Sequence, residues 1–177
     1  MIESRYWKED LLRHARKLSS AKRTKRWSER LAVNFEKELI ISFFCIRKLF
    51  ENNKVSLKLR QYKADIFSCS TAEEQITRLN QWFIDEVYNL ENERKVERNI
   101  CFIANQLIHS CTAYAYRDED GNWAGIYVCS DWERNKAIYR IPINAIIKIF
   151  NTVGHDYPHS IKLTRERKGE DYEVELC

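Results

Sequence analysis

Three polar residues, Arg98, Asn105 and His109, have types and spacing that could carry out chemistry on a phosphodiester. A histidine can exchange protons near neutral pH, and an arginine can stabilise the negative charge of a phosphorane-like transition state. If the two groups share a site, they could support RNA cleavage with the 2′-hydroxyl as nucleophile. The alternative is structural: His109 would interact with the last carbonyl groups of a helix, and Asn105 would bridge to a neighbouring element.

The element expected to position these residues is a helix over residues 94–111. Its apolar residues are spaced four, three and four apart and so form one stripe: Val96, Ile100, Ile103 and Leu107. The three polar residues would lie roughly 200° away, on the opposite side. About 16 Å would separate the backbones of Arg98 and His109 along such a helix. A shared site would therefore need an antiparallel homodimer in which Arg98 of one chain approaches His109 of the other.

The segment Ala104-Asn-Gln-Leu-Ile-His109, late in a helix, resembles the signature of HEPN domains. That signature has an arginine, usually followed by a polar residue such as asparagine, and then a histidine a few residues later; the arginine position is Ala104 here. The resemblance covers about residues 25–115. It implies a small helical bundle and, in many members, a dimer that forms one site. The family includes metal-independent ribonucleases of toxin–antitoxin and antiphage systems. The whole chain also resembles uncharacterised bacterial proteins, and that likeness implies no function.

A second candidate site is the basic segment over residues 13–30, which has eight basic residues and one acidic residue in a chain of net charge +4. Its cationic residues are Arg13, Arg16, Lys17, Lys22, Arg23, Lys25, Arg26 and Arg30. Such a cluster can attract a phosphate backbone or an acidic protein, and nucleic-acid binding there would weaken steeply with salt. The alternative is a solvated helix face.

Six aromatic residues cluster around the expected sheet: Tyr114, Tyr116, Trp123, Tyr127, Trp132 and Tyr139. They could stack the bases of a single strand, or they could form cross-strand pairs that pack on helices.

No metal site or cofactor is predicted. His155 and His159 have a spacing that would suit a metal on a helix, but Pro158 disfavours helical geometry there and favours a pair of loop histidines. The four glycines do not build a phosphate-binding loop of a nucleotide hydrolase.

The periodicity of the chain changes from helical to alternating near residue 112. Helices are expected over residues 5–19, 28–50, 71–90 and 94–111, with a short extended segment near 55–59. Strands are expected over residues 112–116, 123–128, 137–141, 161–167 and 172–176, with a short helix over 145–150. We therefore expect an α+β fold: a bundle of about four helices (1–111) followed by a small antiparallel sheet (112–177), together forming a single domain.

The composition indicates an ordinary globular protein of 177 residues, with 32% charged and 44% hydrophobic residues. The first ten residues lack the apolar core of a signal peptide, so a cytoplasmic location with six reduced cysteines is expected. The longest apolar run, residues 39–46, falls well short of the ~20 residues of a membrane span.

From these patterns we expect a non-enzymatic, HEPN-like association protein that binds RNA or an acidic protein, in a bacterial defence or toxin–antitoxin context. One alternative is a metal-independent ribonuclease that uses His109 and Arg98 across a dimer. A second alternative is nucleic-acid binding by the basic segment.

Overall fold

The computed structural model of the protein describes residues 3–20, 28–72, 75–158, 161–164 and 173–176. The helices are α1 (Arg5–Ser20), α2 (Glu29–Glu51), α3 (Leu57–Gln61), α4 (Ile84–Val87), α5 (Ile100–Ile108) and α6 (Ile143–His155). The strands are β1 (Lys63–Ser70), β2 (Arg94–Asn99), β3 (Ser110–Arg117), β4 (Trp123–Ser130), β5 (Ala137–Pro142), β6 (Ile161–Thr164) and β7 (Glu173–Leu176). The predicted α+β class is confirmed, with N-terminal helices followed by antiparallel strands.

Helix α2 forms where the sequence places apolar residues at helical spacing. Ser28 caps its start, because the Ser28 hydroxyl accepts a hydrogen bond from the amide of Leu31. The helix ends at Asn52, whose amide donates to the carbonyls of Lys48 and Phe50, and Asn53 follows with a φ of 55°. The expected helices over 5–19 and 28–50 are both confirmed.

A five-stranded sheet has the order β2-β1-β5-β4-β3, and every neighbouring pair is antiparallel. Strands β3 and β4 form the expected hairpin, and Gly121 in its turn adopts a φ of 76°. Strands β6 and β7 pair with each other as a separate ribbon, which confirms the predicted second hairpin. The expected turn of that hairpin, Lys168-Gly169, lies outside the described residues.

The predicted helix over residues 94–111 is wrong at both ends, because β2 occupies its first six residues and β3 begins at Ser110. Residues 94–99 are strand β2, which pairs with β1 in a register that sets Ala64 opposite Arg98. Only then does α5 begin, capped by Asn99, whose side chain accepts a hydrogen bond of 2.7 Å from the amide of Phe102. A cap residue has extended backbone geometry, so Asn99 separates strand from helix.

The predicted helix over residues 71–90 is also wrong, because among the described residues of this range only those of α4 are α-helical. Two of the residues expected to be buried, Leu79 and Phe83, are 87% and 53% exposed. The two capping-box partners suggested by the sequence, Glu73 and Glu74, lie outside the described residues. The described part of residues 1–111 therefore holds two long helices, several short ones and two strands rather than a four-helix bundle.

Two elements, α3 and α6, differ from the predicted ones for local reasons. The segment near residues 55–59 is not extended, because the Ser56 hydroxyl caps α3 by accepting a hydrogen bond from the amide of Leu59. Helix α6 is longer than the expected 145–150 and passes through Gly154. A Cβ atom at Gly154 would lie 2.5 Å from a methyl carbon of Leu12, so this glycine permits close packing of α1 on α6 rather than ending the helix.

The main core lies between the helices and one face of the sheet. Helix α1 packs on α6, α2 packs on α5, and both α5 and α6 contact the sheet. Within this core Phe35 stacks on Trp123 with ring centres 4.4 Å apart. A smaller cluster covers part of the opposite face, formed by the segment around α4 and by sheet residues of the other parity: Cys69, Ile76, Ile84, Val87, Tyr88, Cys129 and Ile138. Within the described ranges, no helix has the length and apolar character needed to cross a membrane.

Close packing at Gly125 generates a testable prediction. A Cβ atom there would lie 2.3 Å from the carbonyl oxygen of Ile141 and 2.8 Å from the Tyr116 ring. We expect Gly125→Ala to lower the free energy of unfolding by about 2–4 kcal/mol, because backbone and ring must both shift. Gly121→Ala is the matched control, because a Cβ atom there has room and only the positive φ opposes the substitution. We expect this variant to lose about 1 kcal/mol of the free energy of unfolding. Urea unfolding followed by circular dichroism measures both, and equal losses would contradict the steric argument.

Candidate functional site

His109 is the residue at which α5 ends. Its amide donates to the carbonyls of Asn105 and Leu107, and its carbonyl accepts a hydrogen bond of 3.3 Å from the amide of Asp131. The chain enters β3 at the next residue, so the imidazole is held at the junction of helix and sheet, where it is exposed. The backbone of His109 is therefore fixed while its side chain stays accessible.

Two segments of the chain enclose a cavity of about 340 Å³ beside His109. One segment is the end of α5 and the other is the end of β4 with the turn that follows; together they contribute Asn105, Gln106, His109, Ser130, Trp132 and Glu133. Buried Gln106 joins the two segments, because its side-chain oxygen accepts a hydrogen bond of 2.9 Å from the amide of Ser130. We call this cavity and its six lining residues the α5–β4 cleft.

Asn105 lines the cleft and is held from behind by α2. Its side-chain oxygen accepts a hydrogen bond of 3.2 Å from Arg47, which also donates to Glu51 at 2.8 Å. Arg47 is thus the cation in contact with Asn105, and the sequence pattern did not point to it. Ala104, at the arginine position of the HEPN signature, is fully buried, so its side chain faces the core rather than the cleft.

Arg98 lies on β2, and its expected place on one helical stripe with Asn105 and His109 is wrong. Its guanidinium lies over the ring of Phe102, 5.2 Å from the centre, and 6.0 Å from the ring centre of Tyr139. The Tyr139 hydroxyl donates a hydrogen bond of 2.9 Å to Glu133, a residue that lines the α5–β4 cleft. Arg98 therefore does not line the cleft, and Tyr139 lies between it and the cleft residue Glu133.

The electrostatics of Glu133 reflect these neighbours. Burial would raise the pKa of this carboxyl, but hydrogen bonds from Lys136 and Tyr139, together with the charges of Lys136 and Arg98, hold it below its usual value. Burial and the Glu133 carboxylate raise the pKa of Tyr139 to about 12. Glu133 is therefore a carboxylate, and Tyr139 a neutral hydrogen-bond donor, at neutral pH.

Sequence reasoning missed Glu133, which no spacing connects with His109. Trp132 was recognised only as one of six aromatic residues. The structure separates that group: Trp123 and Tyr139 are buried, whereas Tyr114 and Trp132 are 55% and 86% exposed. The available signal was the position of Trp132, directly after a strand in a polar turn, where burial is not expected.

The basic segment is only partly described, since Lys22, Arg23, Lys25 and Arg26 lie outside the described residues. Arg13 forms an ion pair with Asp10, and Lys17 forms one with Glu38 of α2. Arg16 and Arg30 are exposed. Two of its four described cations therefore already have acidic partners.

The expected loop histidine pair is half described. His155 ends α6, with its Nδ1 atom 2.8 Å from the Asn151 carbonyl oxygen, and His159 falls in an undescribed stretch. Over the described ranges, the side chains form no group of three or more metal ligands.

The acid dependence of stability tests the environment of Glu133. Because the folded protein lowers the pKa of this group, ionised Glu133 contributes stability above the ordinary carboxyl range near 4.5 and loses it as the pH falls through the lowered folded-state pKa. We expect Glu133→Gln to be less stable than wild type at pH 7 and the difference to shrink below pH ~4.5. Urea unfolding from pH 3 to pH 7 measures this, with Glu119→Gln in the exposed hairpin turn as control. If the free energies of unfolding of wild type and Glu133→Gln differ by the same amount at every pH in this range, the neighbours of Glu133 do not stabilise its ionised form.

Comparison with protein-family models, with curated proteins and with solved structures gives no match for this chain.

Proposed function

We propose that the protein binds single-stranded RNA at the α5–β4 cleft and acts by association rather than by catalysis. The observation that carries this proposal is the position of Trp132, whose side chain is 86% exposed beside the cleft that Asn105 and His109 also line. An indole so exposed adds little to the core, and aromatic side chains of this kind stack on bases with about 1–3 kcal/mol per base.

The polar groups of the cleft suit the other parts of a nucleotide. The Asn105 side chain offers both donors and an acceptor, and the His109 imidazole offers a donor or an acceptor to a base edge or a 2′-hydroxyl. The volume of about 340 Å³ falls within the usual range for small ligands. One unpaired base stacked on Trp132, with its edge directed at Asn105 and His109, is the mode of binding we favour.

The charges near the cleft are largely balanced. Arg134 pairs with Asp131 at 3.2 Å, and Lys136 pairs with Glu133 at 2.9 Å. Because these two cations already have acidic partners, RNA binding at the cleft would release few counterions from the phosphates. We therefore expect the affinity of RNA for the cleft to depend only weakly on salt. This separates the proposal from binding by the basic segment, for which affinity would fall steeply with salt.

The wider context rests on the family resemblance alone. From that resemblance we propose a role in bacterial defence or in a toxin–antitoxin pair. We also propose from it a homodimer through the face that carries Asn105 and His109. An acidic protein partner is the competing outcome. It would bind through the cations of the basic segment and would leave Trp132 without a role.

Replacement of Trp132 tests the binding mode. We expect Trp132→Ala to raise the dissociation constant for a fluorescein-labelled oligouridine by about tenfold or more, because one stacking contact is lost. The measurement is fluorescence anisotropy at several salt concentrations. Trp82→Ala is the matched control, since Trp82 is 62% exposed but does not line the cleft. Equal affinities of the two variants, or no binding by wild type, would contradict the proposal.

A second candidate function is metal-independent cleavage of RNA, and one observation favours it: His109 and Glu133 line the same cleft. In this reaction Glu133 takes the proton of the 2′-hydroxyl, and the 2′ oxygen attacks phosphorus. The bond from phosphorus to the 5′ oxygen breaks, and protonated His109 donates to that oxygen, leaving a 2′,3′-cyclic phosphate. Arg98, whose charge acts on Glu133, is the cation proposed for the charged phosphate oxygens, and this assignment needs no second chain.

Cleavage of a fluorogenic RNA in the presence of EDTA tests this second function. We expect His109→Ala to lower the rate by about 100-fold or more, because the leaving oxygen loses its proton donor. His155→Ala at the exposed end of α6 should match wild type. Mass spectrometry should show the cyclic phosphate as the first product. A rate that survives His109→Ala would sink the assignment, whereas absence of cleavage together with Trp132-dependent binding would support association alone.

A further inference from the structure

Two cysteines lie against each other directly behind the α5–β4 cleft. Cys111 is on β3 and Cys129 is on β4, and their sulfur atoms are 3.6 Å apart. The register of the two strands shifts between Ser110 and Thr112, so Cys111 is the extra residue of an irregularity opposite Cys129. This shift brings the two thiols together on the sheet face that the α4 segment covers.

We propose that Cys111 and Cys129 form a reversible redox pair that closes to an intramolecular disulfide on reaction with a low-molecular-weight disulfide. Formation of a bond of about 2.05 Å requires the sulfur atoms to approach by only about 1.5 Å, which side-chain rotation can supply. Cys129 is paired with Thr112 in the register, so Cys111 is not its direct partner; as the extra residue of the irregularity, Cys111 nevertheless brings its sulfur within 3.6 Å of the Cys129 sulfur. The disulfide therefore closes where the sheet is already irregular. The proposal stands independently of RNA binding.

The two thiols differ in exposure and in pKa, and such a reaction needs both differences. Cys111 is half-buried and accessible, whereas Cys129 is fully buried. The hydrogen bond with the Cys129 thiol lowers the pKa of Cys111 to about 6, while the same contact and burial raise the pKa of Cys129. Cys111 is thus the nucleophile at neutral pH, and Cys129 is the resolving thiol.

The reaction balances in two steps. The Cys111 thiolate attacks one sulfur of the small disulfide, whose S–S bond breaks, and the released thiolate takes up a proton. Cys111 then carries a mixed disulfide and no charge, so the contact that raised the pKa of Cys129 is gone. The Cys129 thiol loses its proton and its sulfur attacks Cys111, expelling the second small thiol. Two protein thiols are oxidised by two electrons, and one small disulfide is reduced to two thiols.

The other described cysteines are poorer candidates. Burial raises the pKa of Cys45, Cys69 and Cys101, so each favours the unreactive thiol. Cys69 belongs to the same apolar cluster as Cys129, but β5 lies between their strands. Two strand spacings amount to roughly 9.5 Å, too far for a disulfide.

The test treats folded protein with oxidised glutathione, alkylates the remaining thiols and maps the peptides by mass spectrometry. We expect wild type to lose about 2 Da, the two hydrogens of the new disulfide, and to link the peptides that contain Cys111 and Cys129. Dithiothreitol should restore both thiols. Cys129→Ser should trap glutathione on Cys111, Cys111→Ser should form no such link, and Cys101→Ser should behave as wild type.

Two further measurements keep the test decisive. Iodoacetamide should label Cys111 of the reduced protein with nearly constant rate down to about pH 6, and Cys45 only at higher pH. Circular dichroism of each reduced variant checks that it is folded. The proposal is overturned if folded wild type gives no Cys111–Cys129 link, or if glutathione distributes evenly over Cys45, Cys101 and Cys111.

Discussion

The burial of α5 between α2 and the sheet is the constraint on which the rest of the structure depends. Four of its nine residues, Ile100, Ile103, Ala104 and Leu107, are at most 1% exposed. A helix so short has little stability of its own, so packing on both sides must hold it. Because Asn99 fixes its start and His109 its end, that packing also fixes the strands before and after it. The cleft, the cysteine pair and the position of Arg98 all follow from it.

The polar contacts around α5 specify how the helix is oriented within this apolar packing. Gln106 is 3% exposed and satisfies the amide of Ser130, and Arg47 reaches Asn105 from α2. Buried polar groups are costly when unpaired, so each contact specifies one arrangement of helix and strand. The same arrangement sets the end of β4 beside the end of α5. The α5–β4 cleft and the pair of thiols are then built from the same two segments, residues 105–111 and 129–133.

The functional proposals use different parts of this region and are separable for that reason. Base stacking depends on an exposed indole, acid–base chemistry on an imidazole and a carboxylate, and disulfide formation on two thiols that face away from the cleft. Each involves a different chemical property, namely polarisable surface, proton exchange and sulfur nucleophilicity.

The sequence by itself determined the elements whose signals are local. Helices α1 and α2 follow from apolar spacing, the β3–β4 hairpin from alternation around Asp120-Gly121, and the α+β class from the order of these elements. It also identified Asn105 and His109 as residues that could share a site, and the structure places both on the same cleft. Tertiary structure decided the remainder. Val96 of β2 continues the helical spacing of the apolar residues of α5, yet β2 is extended because β1 supplies the hydrogen-bonding partner, and that pairing joins residues more than 25 positions apart. The nearness of Glu133 to His109 and of Arg47 to Asn105 has the same origin, since contacts between separate elements depend on strand order and packing rather than on any spacing along the chain. The hairpin sets Cys111 and Cys129 near each other, but the irregularity that joins their thiols has no signal in the sequence.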